Sequence, residues 1–388
     1  MPMSQPQPIT DLSTSSNIYI ESVEQNERAL RVHWNDGTQA TYHYLWLRDN
    51  CSTAFHPQTA ERCFDLLSVT HSIHPLSVTL DTGTLSIEWS EQEHVSCFEQ
   101  SWLRERSYSD KRENNNGSGY QSWSCEFVDR IPVADQQEIM TSDRALYEWM
   151  SALGKYGLTI IKGMPNDHDA VTQTATRIDY LRQTNFGVTF DVVSVKDPIN
   201  LAYTSISLPL HTDLANQEIP PGYQFLHCLS NDSIGGESTF VDGLKVLEEL
   251  REDQPESFRL LCEHAIPFRF HDQTQDIRQH QPVINLDSFG NIIEIKYNAH
   301  LAGVFDLPGE IMYDYYLAYR ELMGRLKDPR YKIELKLAAG DMVVFDNRRV
   351  LHGRNAFDEK AGNRHLRGCY VDRSEFKSRF RVLAKQLG

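Results

Sequence analysis

The sequence has no run near the roughly 18 consecutive apolar residues that a membrane-spanning helix needs. Its opening stretch, MPMSQPQPITDLSTSSN, also lacks the apolar centre of a secretory signal. No block of lysine and arginine is present. The 38 basic residues are outnumbered by 54 acidic ones, for a formal net charge of −16, which sets nucleic acid and anionic membrane aside as partners. The seven cysteines (51, 63, 97, 125, 228, 262 and 369) are scattered and odd in number. That argues against a disulfide framework and for a reducing, cytoplasmic setting. Neither GxGxxG nor GxxxxGK occurs, so nucleotide-binding readings are weak, and no internal repeat is visible.

The texture changes once along the chain. Residues 1–17 read as a flexible tail. Residues 18–105 read as a small antiparallel β domain. In it ALRVHW and TQATYHYLW flank Asn35-Asp36-Gly37, and LSVTL and LSIEW flank Asp81-Thr82-Gly83, two hairpin signals. Residues 106–122, polar and rich in Asn, Gly and Ser, read as a linker. Residues 123–388 open with a helix over 142–157, capped by Ser142 and ended by Gly157. A strand (LTIIKG) and a second helix over 170–183 follow. Short strand-like runs then dominate, interrupted by one long helix near 309–327. This order predicts a mainly β fold of jelly-roll or sandwich type buttressed by helices.

LPLHTDL (208–214) places His211 and Asp213 two positions apart in an apolar stretch. On a strand, such residues share a face. A lone His-x-Asp is weak evidence in a chain with 15 histidines. Downstream, GDMVVFDNRRVLHGR brings His352 out of an apolar strand. Two imidazoles and a carboxylate form the facial triad that holds Fe(II) and leaves positions open, and no cysteine stands beside the set to favour structural zinc. Arg364 follows His352 by twelve residues and can grip a carboxylate bidentately. Ser238, in GGESTFVD, can add a hydroxyl. Each has a bland alternative (a turn cap, a surface ion pair, a strand hydroxyl), but their joint order on successive strands favours a site.

That ordered set resembles the Fe(II)/2-oxoglutarate-dependent oxygenases of the taurine dioxygenase superfamily. YLWLRDNC (44–51), LHTDL with PPGYQFLHCL and GGES (210–238), and AAGDMVVFDNRRVLHGR (338–354) resemble its γ-butyrobetaine and trimethyllysine dioxygenase branch. The resemblance implies a double-stranded β-helix, with His211, Asp213 and His352 as iron ligands. It places Arg364 on the distal carboxylate of 2-oxoglutarate with Ser238 as helper. It further implies O₂ as co-substrate, ascorbate as reductant and a homodimer. Members of the branch bind a trimethylammonium group, which has no N–H to donate and is recognised by aromatic faces. The cage positions fall on Phe186, Phe190, Tyr203, Leu214 and Tyr370, and the polar positions near the substrate acid on Asn200 and Asn298. Phe and Leu stand at positions where Tyr or Trp is expected.

In that branch the N-terminal domain carries a zinc on three cysteines and a histidine. Here Cys51, His56, Cys63 and His94 offer a four-ligand set at zinc-like spacing, with Thr53 where a second cysteine is expected. The rival reading is a lost site packed by apolar residues such as Ala54 and Phe55. Hydroxylation of a small quaternary-ammonium acid of the γ-butyrobetaine type is therefore expected. A trimethylammonium phosphonate or a trimethyllysine-like amino acid is the alternative substrate. A non-catalytic 2-oxoglutarate or metal sensor, and a zinc hydrolase, are the alternatives from other classes.

Overall fold

The structure is a computed structural model that describes residues 18–91, 93–108, 119–194, 204–358 and 360–388. The expected tail (1–17), most of the expected linker, and Asn200 and Tyr203 lie outside the described residues. The chain divides into two units, Met1–Asn115 and Asn116–Gly388. Among the described residues no helix is long and apolar enough to cross a membrane.

The first unit is built twice from one pattern. Strands Ile20–Gln25, Ala29–Trp34 and Gln39–His43 form an antiparallel sheet that leads into a helix, Tyr44–Asp49. Strands Pro75–Asp81, Thr84–Trp89 and Val95–Glu99 do the same before the helix Gln100–Glu105. Buried residues match in order: Leu30, Val32, Trp34, Tyr42 and Leu47 in the first half, Leu85, Ile87, Trp89, Phe98 and Leu103 in the second. The halves interlock, with the Tyr42 hydroxyl donating to the Leu103 carbonyl at 2.7 Å. The expectation of no internal repeat is thus corrected. The repeat lies in the alternation of buried positions along each strand, and only a few identities such as Trp34 and Trp89 survive to show it. Both hairpin signals form as expected, with Gly37 and Gly83 at φ +79° and +84°.

The second unit is two facing sheets with helices outside. The smaller runs, in spatial order, Leu208–His211, Val350–Arg354, Ser238–Asp242 and Lys332–Leu335, all antiparallel. The larger runs Val133–Asp135, Leu158–Lys162, Met342–Asp346, Tyr223–Asn231, Arg364–Val371 and Thr189–Val192. Met342–Asp346 (MVVFD) shows why this is a closed sandwich: every residue is buried. Val343 and Phe345 pack among residues of both sheets, with Phe240, Ile333 and Leu366. Met342 and Val344 face the opposite way, among residues of the helices Asp143–Tyr156 and Arg373–Leu387. A strand covered on both faces reads as a continuous apolar run, and each such side chain contributes about 1.5–3 kcal/mol by burial. This is the jelly-roll core with buttressing helices that the sequence predicts.

The helix over Asp143–Tyr156 is bounded as expected. The Ser142 hydroxyl accepts from the Ala145 N–H at 3.2 Å, and Gly157 ends it at φ +71°. The helix predicted over 170–183 stops at Ala175. Its threonines turn back on the backbone, Thr174 to the Ala170 carbonyl and Thr176 to the Gln173 carbonyl, each at 2.9 Å. Hydroxyls used this way compete with helix propagation. The long helix forms as Gly309–Lys327.

Candidate active site

The open end of the sandwich gathers the residues singled out from the sequence. His211 ends the strand Leu208–His211 and lies opposite His352 on Val350–Arg354. Asp213 is not on that strand. The strand stops at His211 and the chain turns, with Leu214 buried in the left-handed region at φ +57°. The shared-face argument for a strand is therefore replaced by a turn that swings Asp213 back toward His211. A leucine at positive φ is strained by roughly 1–2 kcal/mol, so the surroundings must hold it. Two buried asparagines do. Asn347 accepts from the Asp213 N–H at 2.7 Å and donates to the carbonyls of Asp213 and Pro221 at 3.2 and 3.1 Å. Asn298 donates to the Thr212 carbonyl at 3.1 Å.

One ligand atom from each of His211, Asp213 and His352 lies within 4.8 Å of the other two, the one such group among the described residues. The Asp213 carboxylate oxygens are 3.2 Å from His211 Nε2 and 3.7 Å from His352 Nε2. His211 Nδ1 lies 2.8 Å from the Pro209 carbonyl. A carbonyl accepts only from N–H, so Nδ1 carries the proton and the Nε2 lone pair faces Asp213. Tyr370 donates its hydroxyl to the second Asp213 oxygen at 2.7 Å. Burial alone would raise the Asp213 carboxyl; His352 and His211 beside it, with the Tyr370 hydroxyl, hold it well below the usual carboxylate range. Burial, then the neighbouring His211, pushes the His352 imidazole down to about 3. A carboxylate held in its ionised form beside two imidazoles is a donor set for a divalent cation of intermediate softness, and all three residues line the pocket.

Arg364 sits at the start of Arg364–Val371 and is 7% exposed. Its Nε donates to the Gly236 carbonyl at 3.1 Å, and among the described residues no acidic side chain pairs with it. Burial, then Arg354, pushes it down to about 10. Ser238 lies opposite Arg354 in the register and lines the same pocket. A buried guanidinium without an acid partner is costly, which fits a site for an external carboxylate.

The pocket above these residues is lined by Phe186, Phe190, Leu214, Asn298 and Tyr370 among others. Phe190 stacks on Tyr370 with centroids 5.1 Å apart. Tyr370 thus offers a ring face while its hydroxyl is spent on Asp213. Phe270, His300, Gln224 and Asn347 escaped the sequence reading. Phe270 meets Phe186 edge-on at 5.5 Å. The alternation Ile266, Phe268, Phe270 marked one face of a strand but not its neighbour. Asn347 stood in the polar turn FDN with nothing to show its partner.

The candidate zinc set does not assemble. Cys51 Sγ is 3.2 Å from the Thr53 hydroxyl, and that hydroxyl is 3.3 Å from His94 Nε2. The threonine therefore lies between two of the proposed ligands. Cys63 Sγ faces the Ala54 carbonyl at 3.6 Å, and His56 Nδ1 accepts from the Thr59 N–H at 3.3 Å. No three of these donors come within 4.8 Å of one another. The four residues do not fit a zinc ion as they stand.

Comparison with known proteins agrees with the geometry. The family described as "Taurine catabolism dioxygenase TauD, TfdA family" matches residues 127–370, and "Gamma-butyrobetaine hydroxylase-like, N-terminal" matches residues 21–104. The Gamma-butyrobetaine dioxygenase of Pseudomonas sp. (strain AK-1) is 42% identical over 91% of this chain and 93% of its own length. That of Pongo abelii is 30% identical over 93% and 95%. The Trimethyllysine dioxygenase, mitochondrial, of Gallus gallus is 30% identical over 90% of this chain and 85% of its own. With both halves of the chain matched in sequence and the triad assembled in space, the chain belongs to the TauD/TfdA dioxygenase family, in the group that holds the γ-butyrobetaine and trimethyllysine dioxygenases.

Proposed function

We propose that this dioxygenase hydroxylates an unactivated C–H bond of a small quaternary-ammonium acid of the γ-butyrobetaine type. The overall change is R–H + 2-oxoglutarate + O₂ giving R–OH + succinate + CO₂. The observation that carries the reading is Arg364, buried in the same pocket as the triad and without an acid partner among the described residues. A dicarboxylate co-substrate completes that arginine, whereas a zinc hydrolase would leave it without a role.

His211, Asp213 and His352 would hold iron. Bound Fe(II) supplies the O₂-dependent oxidation that side chains cannot perform. The rest is positioning. Pro209 fixes the tautomer of His211, and Tyr370 and Asn347 fix the carboxylate and backbone of Asp213. Such supporting partners are typically worth about 10- to 100-fold in metal affinity. Arg364, with Ser238 near it, would orient 2-oxoglutarate through its distal carboxylate. Phe186, Phe190, Phe270 and Tyr370 present ring faces to the trimethylammonium end, and Leu214 adds an apolar surface in place of a fifth ring. Holding the reacting carbon near the metal supplies much of the rate advantage.

The test is succinate release from 2-oxoglutarate with Fe(II) and ascorbate, across γ-butyrobetaine, trimethyllysine and a trimethylammonium phosphonate, with product hydroxylation read by mass spectrometry. Strong stimulation by γ-butyrobetaine is expected. Stimulation only by one of the others keeps the chemistry and changes the substrate. No succinate with any of them, despite iron binding, favours the sensor reading.

A further inference from the structure

The segment Asn298–Leu301 brings into the pocket an imidazole that the triad does not use. Asn298 gives one amide proton to the Thr212 carbonyl at 3.1 Å and accepts from the Leu301 N–H at 3.1 Å. Its side chain is committed to holding this turn against the Asp213 loop. The turn is anchored on its other side to the strand that carries Phe270, through the Arg269 N–H to the Leu301 carbonyl at 2.8 Å. His300 therefore lines the pocket, fixed from both directions. Its ring lies edge-on to His211, with centroids 4.9 Å apart, yet its nitrogens fall outside the group of three ligand atoms. No hydrogen bond involves those nitrogens among the described residues.

A zwitterionic substrate has two ends, and the aromatic faces account for the cationic one. The acidic end needs a hydrogen-bond donor, and most lining donors are taken. Arg354 donates to the carbonyls of Thr204 and Ile206. Tyr370 donates to Asp213, and Arg364 is the group proposed for the co-substrate. Gln224 stands opposite Tyr370 in the strand register, at the aromatic end where the cation would lie. Among the described lining residues Asn298 keeps one amide N–H and Ser238 its hydroxyl, and His300 is the one imidazole outside the triad, with no hydrogen bond of its own.

We propose that His300 is a specificity-determining residue that donates a hydrogen bond to the acidic end of the substrate, a carboxylate or another tail oxyanion. The assignment rests on the quaternary-ammonium-acid reading and deepens it. It adds an imidazole donor to the amide of Asn298, whose second N–H is not used by the Thr212 carbonyl.

The experiment compares the wild-type protein with His300→Ala and His300→Gln on γ-butyrobetaine, on its phosphonate counterpart and on butyltrimethylammonium, which keeps the cation and lacks the acid. Loss of a hydrogen bond to a charged group predicts a KM for the acids raised about 10- to 100-fold by His300→Ala. A much smaller change is expected for the acid-free cation, with partial recovery in His300→Gln, which retains an N–H donor. Whether the carboxylate or the phosphonate loses more tells which tail the imidazole meets. An equal loss for substrates with and without the acid, or an unchanged KM, overturns the assignment. So does a parallel fall in Fe(II) affinity measured without substrate, which would make His300 a support of the metal site. If the wild-type protein makes succinate but hydroxylates no trimethylammonium compound, the substrate reading itself fails, and the assignment falls with it for that separate reason.

Discussion

Two polar clusters in this chain have donor spacings suited to a metal, and they differ in what lies between the donors. Around Cys51 and His94 the Thr53 hydroxyl fills the gap, and Cys63 and His56 are turned onto the backbone. Around Asp213 the supporting bonds come from behind, from Pro209 to His211 and from Tyr370 and Asn347 to Asp213, and the ligand atoms converge. Spacing in sequence is common to both. At the assembled set, outer partners orient His211 and Asp213 while leaving their facing lone pairs free. The same contrast separates two buried arginines. Arg349, 4% exposed, is saturated by the Asp242 carboxylate at 3.0 and 2.8 Å and by the carbonyls of Lys155 and Gln121. Arg364, similarly buried, has no acid partner among the described residues. One is saturated by the fold; the other is the arginine proposed to meet the co-substrate.

Breaking the poised cluster gives the largest effect on turnover. Asp213→Ala is expected to reduce Fe(II)-dependent succinate release to background while circular dichroism stays that of the folded protein. Full succinate output from that variant would remove Asp213 from the site. Breaking the saturated arginine pair acts on stability instead. Asp242→Ala leaves Arg349 buried and uncompensated and also deletes the cap that accepts from the Leu244 N–H at 3.1 Å. Loss of one partner of a buried pair costs about 3–5 kcal/mol, to be read from the denaturation midpoint. Arg364→Ala breaks no ion pair and should cost far less stability, its effect appearing as a raised KM for 2-oxoglutarate. If the two variants lose equal stability, the distinction between the arginines is wrong.

The same contrast marks what was legible in the sequence. Ser238, His352 and Arg364 were readable because they follow in order on successive strand-like runs. His211 and Asp213 were found for an incomplete reason. Their convergence depends on a left-handed Leu214 and on Asn347, far along the chain, and no local pattern reports either. The zinc set looked complete because spacing records which donors are near one another and not which hydrogen bonds they already make. The duplicated β-β-β-α pattern was missed because Leu30 and Leu85, or Val32 and Ile87, match as buried positions and hardly as identities. Phe270 and His300 were invisible for a related cause. They reach the pocket from segments whose place beside it is set by tertiary packing alone.

His227 tests the case between the two clusters, an unpartnered polar group with no pocket to serve. It is wholly buried, and among the described residues neither ring nitrogen has a hydrogen-bond partner. Burial, set against the attraction of Asp167 and joined by repulsion from His168 and His365, pushes it down to about 4. The unfolded chain takes up this proton near pH 6.5. As pH falls from about 6.5 toward 4 the unfolded state therefore gains a proton that the folded state refuses, and stability declines. Across that window the contribution is roughly 3 kcal/mol at most. His227→Leu should flatten the difference in melting temperature between pH 7 and pH 4.5 relative to wild type. An identical pH slope in the two proteins would show that His227 is solvated or paired in solution.

The smallest effect belongs to the saturated metal-like cluster, and it decides whether the comparison holds. His94→Gln removes one contact with Thr53 at 3.3 Å, at a partly exposed position. A single neutral hydrogen bond of this kind is worth about 0.5–1.5 kcal/mol, so the variant should stay folded, with its succinate release unchanged. His352→Gln, the same substitution at the poised cluster, should lose iron uptake. Zinc content measured on both proteins after purification gives the second reading. If the wild-type protein carries one zinc per chain and His94→Gln loses it together with about 3 kcal/mol or more of stability, then Thr53 moves aside for the metal in solution. The N-terminal cluster would then be as poised as the catalytic one.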